Sequence, residues 1–292
     1  MGKIGQKNIS AMLFDFKNAN MNLLLDHERE IPLLIEHCYK VANALRGSKI
    51  IDDSHKYIEP LGKKILHHIV SAFNLYTGTT IIFSNNTKTT FTDFSSLIVL
   101  TRAAIESYLT FHYVYIQPKN EVEKEFRFIS WDLAGYIERE RYEANNEDSK
   151  NTKKREQEQK NECIRKIEKN EIFQKSPSNI KKLILKGKWR GDKSWADLAQ
   201  DASVFSEYFS MLYSFVSSYS HSGRLSVLQV SQVNDEKEFC DVFQLFNLMI
   251  LSRLILDYSS LFEVCNTALI SDPAAYKIAT IWYGVSHGIK RD

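Results

Sequence analysis

The chain has 292 residues, 43% of them hydrophobic, enough to build a sizeable core in one large domain or two ordinary ones. Its 38 Lys and Arg stand against 36 Asp and Glu, so the formal net charge of +2 singles out neither nucleic acid nor a basic partner. Eleven Gly and five Pro leave long stretches free of breakers, which points to helices, and Cys38, Cys163, Cys240 and Cys265 lie too scattered for a zinc site or a disulfide framework.

Taken in chain order, the first ten residues lack the apolar core of a signal peptide. A helix is expected from about Ser10 through Leu25. Glu30 to Leu45 reads as an amphipathic helix ended by Gly47, and another starts between Asp53 and Pro60 and runs to Thr77-Gly78. His67 and His68 are adjacent on it, so they diverge and make no metal pair, which requires i, i+4 spacing. Thr79 to Thr90 is β-branched and turn-like at Asn85-Asn86, a loop or short strand.

Leu97 to Tyr113 is apolar almost all round, the mark of a buried helix, with Thr92 or Asp93 as its cap and its end before Pro118. Arg102 and Glu106 interrupt it at i, i+4, so they share a face and can pair with each other. Glu121 to Tyr142 continues helical. From Glu138 to Lys175 the composition turns to interleaved charges of both signs, a solvated helical hairpin or excursion rather than a uniformly basic phosphate-binding face. Pro177 to Leu185 is a short helix. A basic loop, Lys186 to Gly191, carries Trp189, and Ser194 with Asp197 forms a capping box for the next helix.

Phe205 to Ser220 separates into two stripes. Phe205, Tyr208, Leu212, Phe215 and Tyr219 form an apolar face; Ser206, Ser210, Tyr213, Ser217 and Ser220 form a small, polar one. His221 ends the helix before Ser222-Gly223, where glycine tolerates a positive φ. Leu97 to Tyr113 is the expected packing partner, and the side bearing Tyr213, Ser217 and His221 is the expected source of partners for Arg102 and Glu106. Arg224 to Gln232 alternates like a strand, Glu236 to Leu269 reads as the longest core helix, and Pro273 to Val285 makes a final helix ending near Gly288. The apolar run from Val242 to Phe262 contains Arg253 and Asp257, which favours a core helix over a membrane span. The ten residues from Leu97 to Glu106 match Leu248 to Asp257 in character, each with Arg and then a carboxylate four residues later, as a duplicated helical unit would.

The expected fold is all-α: one multi-helix bundle over residues 1–292, with core helices in 90–136 and 187–268 and a charged helical excursion over 138–176. The expected setting is cytoplasmic and soluble, without membrane, metal or cofactor; homodimer formation fits long apolar helices.

Trp189, Gly191, Ser194, Asp197-Leu198-Ala199, Tyr208, Tyr213, Ser217 and His221-Ser222 resemble a bacterial all-helical family of unknown function, domain family 5677. The resemblance includes an upstream L-x-R-x-x-x-E helix, met by Leu100, Arg102 and Glu106, and spans roughly residues 90–230. That family looks loosely similar to the helical HEPN nucleotide-binding and ribonuclease proteins of prokaryotic toxin and phage-defence systems. The ribonucleases among those carry Arg and then, a few residues later, His on one helix. Here Arg102 and His112 are too far apart, and Arg224 follows His221, so that order is absent from these helices.

Two functions from different classes follow. One is a metal-independent endoribonuclease of a toxin or defence system. In it His221 acts as base or acid, Arg102 or Arg224 clamps the phosphate, Glu106 orients Arg102, and Tyr213 or Tyr219 positions the substrate. Ser217, Arg224 and Trp189 would contact the RNA. The other is a non-enzymatic interaction or sensor module, in which Arg102, Glu106, Tyr213 and His221 are a satisfied core network and the charged excursion meets a partner protein. The chain has no P-loop, zinc spacing or nucleophile elbow, which favours the second.

Overall fold

A computed structural model describes residues 26–46, 55–205, 208–221, 223–233 and 236–287. The helix expected over Ser10 to Leu25, and the stops at Gly47 and Gly288, lie outside these residues. In chain order the elements are α1 (His27–Ala44), α2 (Ile58–Tyr76), β1 (Thr79–Ile82), β2 (Lys88–Phe91), α3 (Phe94–Phe111) with a π-helical turn at His112–Ile116, and α4 (Glu121–Arg139). They continue with α5 (Glu147–Lys169), α6 (Glu171–Lys175), α7 (Ser178–Leu185), α8 (Trp195–Asp201), α9 (Phe209–Ser220), α10 (Arg224–Val230), α11 (Glu236–Ser260), α12 (Glu263–Ile270) and α13 (Pro273–Ser286). The protein is an all-α, multi-helix structure whose sheet, among the described residues, is one antiparallel hairpin pairing Thr79 with Phe91 and Ile82 with Lys88.

Local chemistry explains most boundaries. Asp26 caps α1 by accepting from the Arg29 amide at 3.2 Å, Asp93 caps α3 by accepting from the Ser96 amide at 3.0 Å, and Asp272 caps α13 from the Ala275 amide at 3.2 Å. Ser194 and Asp197 form the expected reciprocal box, with Ser194 N–H to Asp197 Oδ2 at 2.7 Å and Asp197 N–H to Ser194 Oγ at 3.2 Å. Gly78, at φ 106°, turns the chain out of α2 into the hairpin, a conformation that favours glycine.

The chain divides into two compact units, one comprising Met1–Ile50, Tyr57–Leu109 and Ala199–Asp292, the other Ile51–Lys56 and Thr110–Leu198. In the first, α11 is the hub: α1, α2, α12 and α13 all pack on it, and Leu248, Met249, Ile250, Leu251 and Ile255 are fully enclosed. Helix α11 is long and apolar enough to cross a membrane, but 83% of its most apolar window is already buried against protein. In the second unit α4 packs against α5, α6 and α7. The charged helix α5 is pinned there by buried Cys163 and Ile167 and by Arg139 with Glu156 and Lys160 with Glu140, both at 2.7 Å.

Three expectations are corrected. Arg224 to Gln232 is not strand-like: α10 is helical over Arg224–Val230, with Ser226 Oγ donating to Gly223 O at 2.7 Å within its first turn and no strand among the described residues pairing with it. Glu236 to Leu269 is not one helix. It ends at Ser260, where Ser260 Oγ donates to Asp257 O at 2.7 Å and the Leu261 and Phe262 amides tighten onto Tyr258 and Ser259; Phe262 is extended, and α12 restarts after it. Helix α9 begins at Phe209 rather than Phe205, since Ser203 and Phe205 take positive φ values of 51° and 52° and reverse the chain first.

Candidate functional site

Arg102 and Glu106 lie one turn apart on α3, and their pairing is direct: Arg102 Nε donates to Glu106 Oε1 at 2.8 Å. Tyr213 of α9 closes the arrangement. Its hydroxyl accepts from Arg102 Nη2 at 3.2 Å and donates to the same Glu106 oxygen at 2.6 Å. The guanidinium also sits 5.3 Å from the Tyr213 ring centroid, and Tyr213 stacks on Phe209 at 5.5 Å. Burial opposes the Arg102 charge, yet the bonds to Glu106 and Tyr213 outweigh it and hold the guanidinium pKa above its ordinary value. Burial, reinforced by Glu106, pushes the Tyr213 hydroxyl up, so it stays protonated and serves as a donor. The Arg102 and Glu106 side chains remain 19% and 26% exposed.

A second Arg–Tyr–acid cluster lies deeper in the same unit. Arg253 and Asp257, again i and i+4, are both buried on α11. Among the described residues they make no direct ion pair; Tyr108 bridges them, accepting from Arg253 Nη1 at 3.2 Å and donating to Asp257 Oδ2 at 2.5 Å. Three further guanidinium hydrogens go to Ser286 Oγ at 2.5 Å, Ala202 O at 2.9 Å and Ser203 O at 2.7 Å. Tyr283 donates to the other Asp257 oxygen at 3.3 Å. Desolvation raises the Asp257 carboxyl pKa against the opposing pull of Tyr108 and Arg253. The resemblance between Leu97–Glu106 and Leu248–Asp257 therefore extends to geometry, with a tyrosine from another helix joining Arg and acid in each.

The other sequence candidates are not brought to Arg102. His221 is exposed at the C-terminal cap of α9 and takes no part in the Arg102 ring. Arg224 is exposed at the first position of α10, and Ser217 is half-buried on α9 outside the ring. Gly223, between His221 and Arg224, does not need the positive φ expected of it. A Cβ there would stand 3.4 Å from Ser218 O, so a close backbone approach is what it permits. Trp189 belongs to the second unit, 5.4 Å from Tyr113 and 6.3 Å from Trp195, with the Arg190 guanidinium 4.2 Å above Trp195. Among the described residues no three His, Cys, Asp or Glu side chains converge as metal ligands.

The sequence pointed to the Arg102–Glu106 pair and to Tyr213, and it placed Arg253 and Asp257 in the core, but not the Tyr108, Tyr283 and Ser286 side chains or the Ala202 and Ser203 carbonyls that partner them. The one signal for Tyr108 was a tyrosine inside an otherwise apolar helix, since a buried hydroxyl needs a partner. The carbonyls carry no sequence signal at all.

No curated protein and no solved structure matches the chain. A family model does match, over residues 64–239, more than half of the length, taking in most of α2 and all of the hairpin, α3 and α9. The chain belongs to the family of unknown function DUF5677.

Proposed function

We propose that the protein is a non-enzymatic helical interaction module whose Arg102–Glu106–Tyr213 ring is a structural lock between α3 and α9. The observation that carries this is the closure of the ring. Arg102 Nε and the Tyr213 hydroxyl both donate to Glu106 Oε1 while Arg102 Nη2 donates to Tyr213, so the carboxylate beside the guanidinium is already engaged within the ring. His221 stands eight residues beyond Tyr213, which at the helical rise is about 12 Å along the axis, too far for both to serve one phosphodiester within a single chain. The charged outer face of α5, which interleaves both signs, is the surface offered to a partner protein, such as another component of a prokaryotic defence system.

A metal-independent ribonuclease of HEPN-like type, acting as a toxin, is the second reading. What favours it is that His221 and Arg224 are both exposed, three positions apart. A proton-transfer group and a phosphate-binding cation are then close in sequence, and a second copy in a homodimer would complete the RNA cleft.

The test is to express the wild type, His221→Ala and Arg102→Ala in a bacterial host, follow growth, and run total RNA on a gel, with melting curves for each. The interaction module predicts intact RNA and normal growth in all three, and a lowered melting temperature for Arg102→Ala alone. RNA breakdown by the wild type that a folded His221→Ala lacks would replace this reading with the ribonuclease.

A further inference from the structure

The first unit contains a cleft of about 290 Å³ enclosed by the C-terminal half of α1, the start of α2 and the last turns of α11. Its floor is apolar and closed, formed by Val41, Leu66, Leu254 and Ile255, each 4% exposed or less. Its mouth is charged. Arg46 and Lys63 line it with exposed side chains, and Glu59 is the carboxylate among them. The Tyr258 ring forms one wall.

Gly62 is the informative residue. It lies inside α2, where glycine is disfavoured relative to alanine. Neither backbone nor packing calls for it: it is not at positive φ, and a Cβ there would rest at an ordinary 3.5 Å from the Tyr258 ring and 3.9 Å from Leu254. A side chain longer than alanine's would press on Tyr258 and Leu254, both walls of the cleft, so glycine keeps that side of the cleft clear. A concave apolar space with a few polar groups at its mouth is the usual form of a small-molecule site, and this volume falls at the small end of that range.

We infer that this cleft binds a small amphipathic carboxylate, with its hydrocarbon part against Leu66, Leu254 and Ile255 and its carboxylate at Arg46 and Lys63. Two cations against one carboxylate at the mouth favour an anionic head over an ammonium. The site is independent of the Arg102 ring and of the module's partner, so it stands or falls separately from the proposed function.

Sodium octanoate is the probe, titrated calorimetrically into the full chain beside 1-octanol as the uncharged counterpart. The wild type should bind octanoate saturably and more tightly than octanol, and the difference should shrink at high salt. Gly62→Leu should abolish saturable binding, while Gly62→Ala, which fits the space, reports that α2 still forms. Lys63→Glu, on an exposed side chain that cannot unfold the core, should weaken octanoate by about fivefold and leave octanol unchanged. The inference is overturned if the wild type gives no saturable octanoate binding. It is equally overturned if Lys63→Glu leaves octanoate unaffected, or if a folded Gly62→Leu binds as the wild type does.

Discussion

Tyr108 donates its hydroxyl to Asp257 at 2.5 Å while accepting from Arg253 at 3.2 Å, so one phenol holds together a buried acid and a buried base that do not otherwise touch. Tyr213 likewise bridges Glu106 and Arg102 nearer the surface, but there the acid and the guanidinium also bond directly at 2.8 Å. The two tyrosine bridges differ in depth and in whether the acid and guanidinium also meet directly, and both differences point the same way. Tyr108→Phe strips a partner from both Arg253 and Asp257 in a site water cannot reach, and is expected to cost about 3 kcal/mol. Tyr213→Phe leaves Arg102 and Glu106 in direct contact and partly hydrated, and should cost about 1 kcal/mol. Urea unfolding midpoints compare them; equal losses would mean that Arg253 and Asp257 are not dry.

The four cysteines give a second test. All are buried and free, and burial raises the thiol pKa to about 12 at Cys38, Cys163 and Cys240 and to about 11 at Cys265. Thiolate is the reactive form, so a native chain at pH 8 should react with an aromatic disulfide reagent far more slowly than one in guanidinium chloride. The linkage has a definite sign. A folded pKa above the unfolded value near 9 means that the native state holds protons the unfolded state has released. Thiol-linked stability is therefore complete below pH 9 and is lost as pH rises towards 11–12. Urea midpoints measured at pH 8, 9.5 and 10.5 should fall in that order, and less steeply after Cys240→Ala.

Helical periodicity made the buried helices legible, because an apolar stripe of the right spacing has few other uses; α2, α3, α4 and the start of α11 lie close to where that pattern places them. The breaks were harder to read. Nothing between Ser259 and Glu263 is a Gly or Pro, so the end of α11 depends on a serine hydroxyl and on packing rather than on a breaker. Alternation in Arg224–Val230 imitated a strand because seven residues span too few turns to display a helical period. For the site, i, i+4 spacing was enough to pair Arg102 with Glu106. The same spacing misled at Arg253, whose guanidinium turns away from Asp257 towards backbone carbonyls that no side-chain pattern records.

Those carbonyls belong to Ala202 and Ser203, at the reversal where Ser203 and Phe205 hold positive φ. Arg253 grips one side of the turn, and the Phe205 amide donates to Ser286 O at 3.1 Å on the other. A non-glycine residue in the left-handed region is strained, so Ser203→Gly should stabilise the fold by about 0.5–1 kcal/mol after the added freedom of the unfolded glycine is subtracted. Arg253→Lys keeps the charge but loses the planar fork, leaving carbonyls or Tyr108 without donors, and should cost about 3 kcal/mol or more. Urea midpoints, with limited proteolysis in the 202–208 segment as a second readout, check both. A neutral Arg253→Lys would show that the turn holds itself.

Asn247 presents the opposite situation to Arg253. It lies on the same helix, is fully enclosed, and neither its amide nitrogen nor its oxygen has a hydrogen-bond partner among the described residues. Gln244, one turn earlier and equally buried, at least donates to Ala72 O at 3.2 Å. An unpartnered buried amide costs roughly 1–3 kcal/mol of desolvation with nothing in return. Leucine has nearly the same size and shape and carries no polar atoms. Asn247→Leu should therefore raise the urea midpoint by the equivalent of about 1–2 kcal/mol, with the slope of the transition unchanged. Loss of stability in that variant would mean that the amide is satisfied by a group such as a bound water, and that α11 carries a polar contact inside the first unit's core.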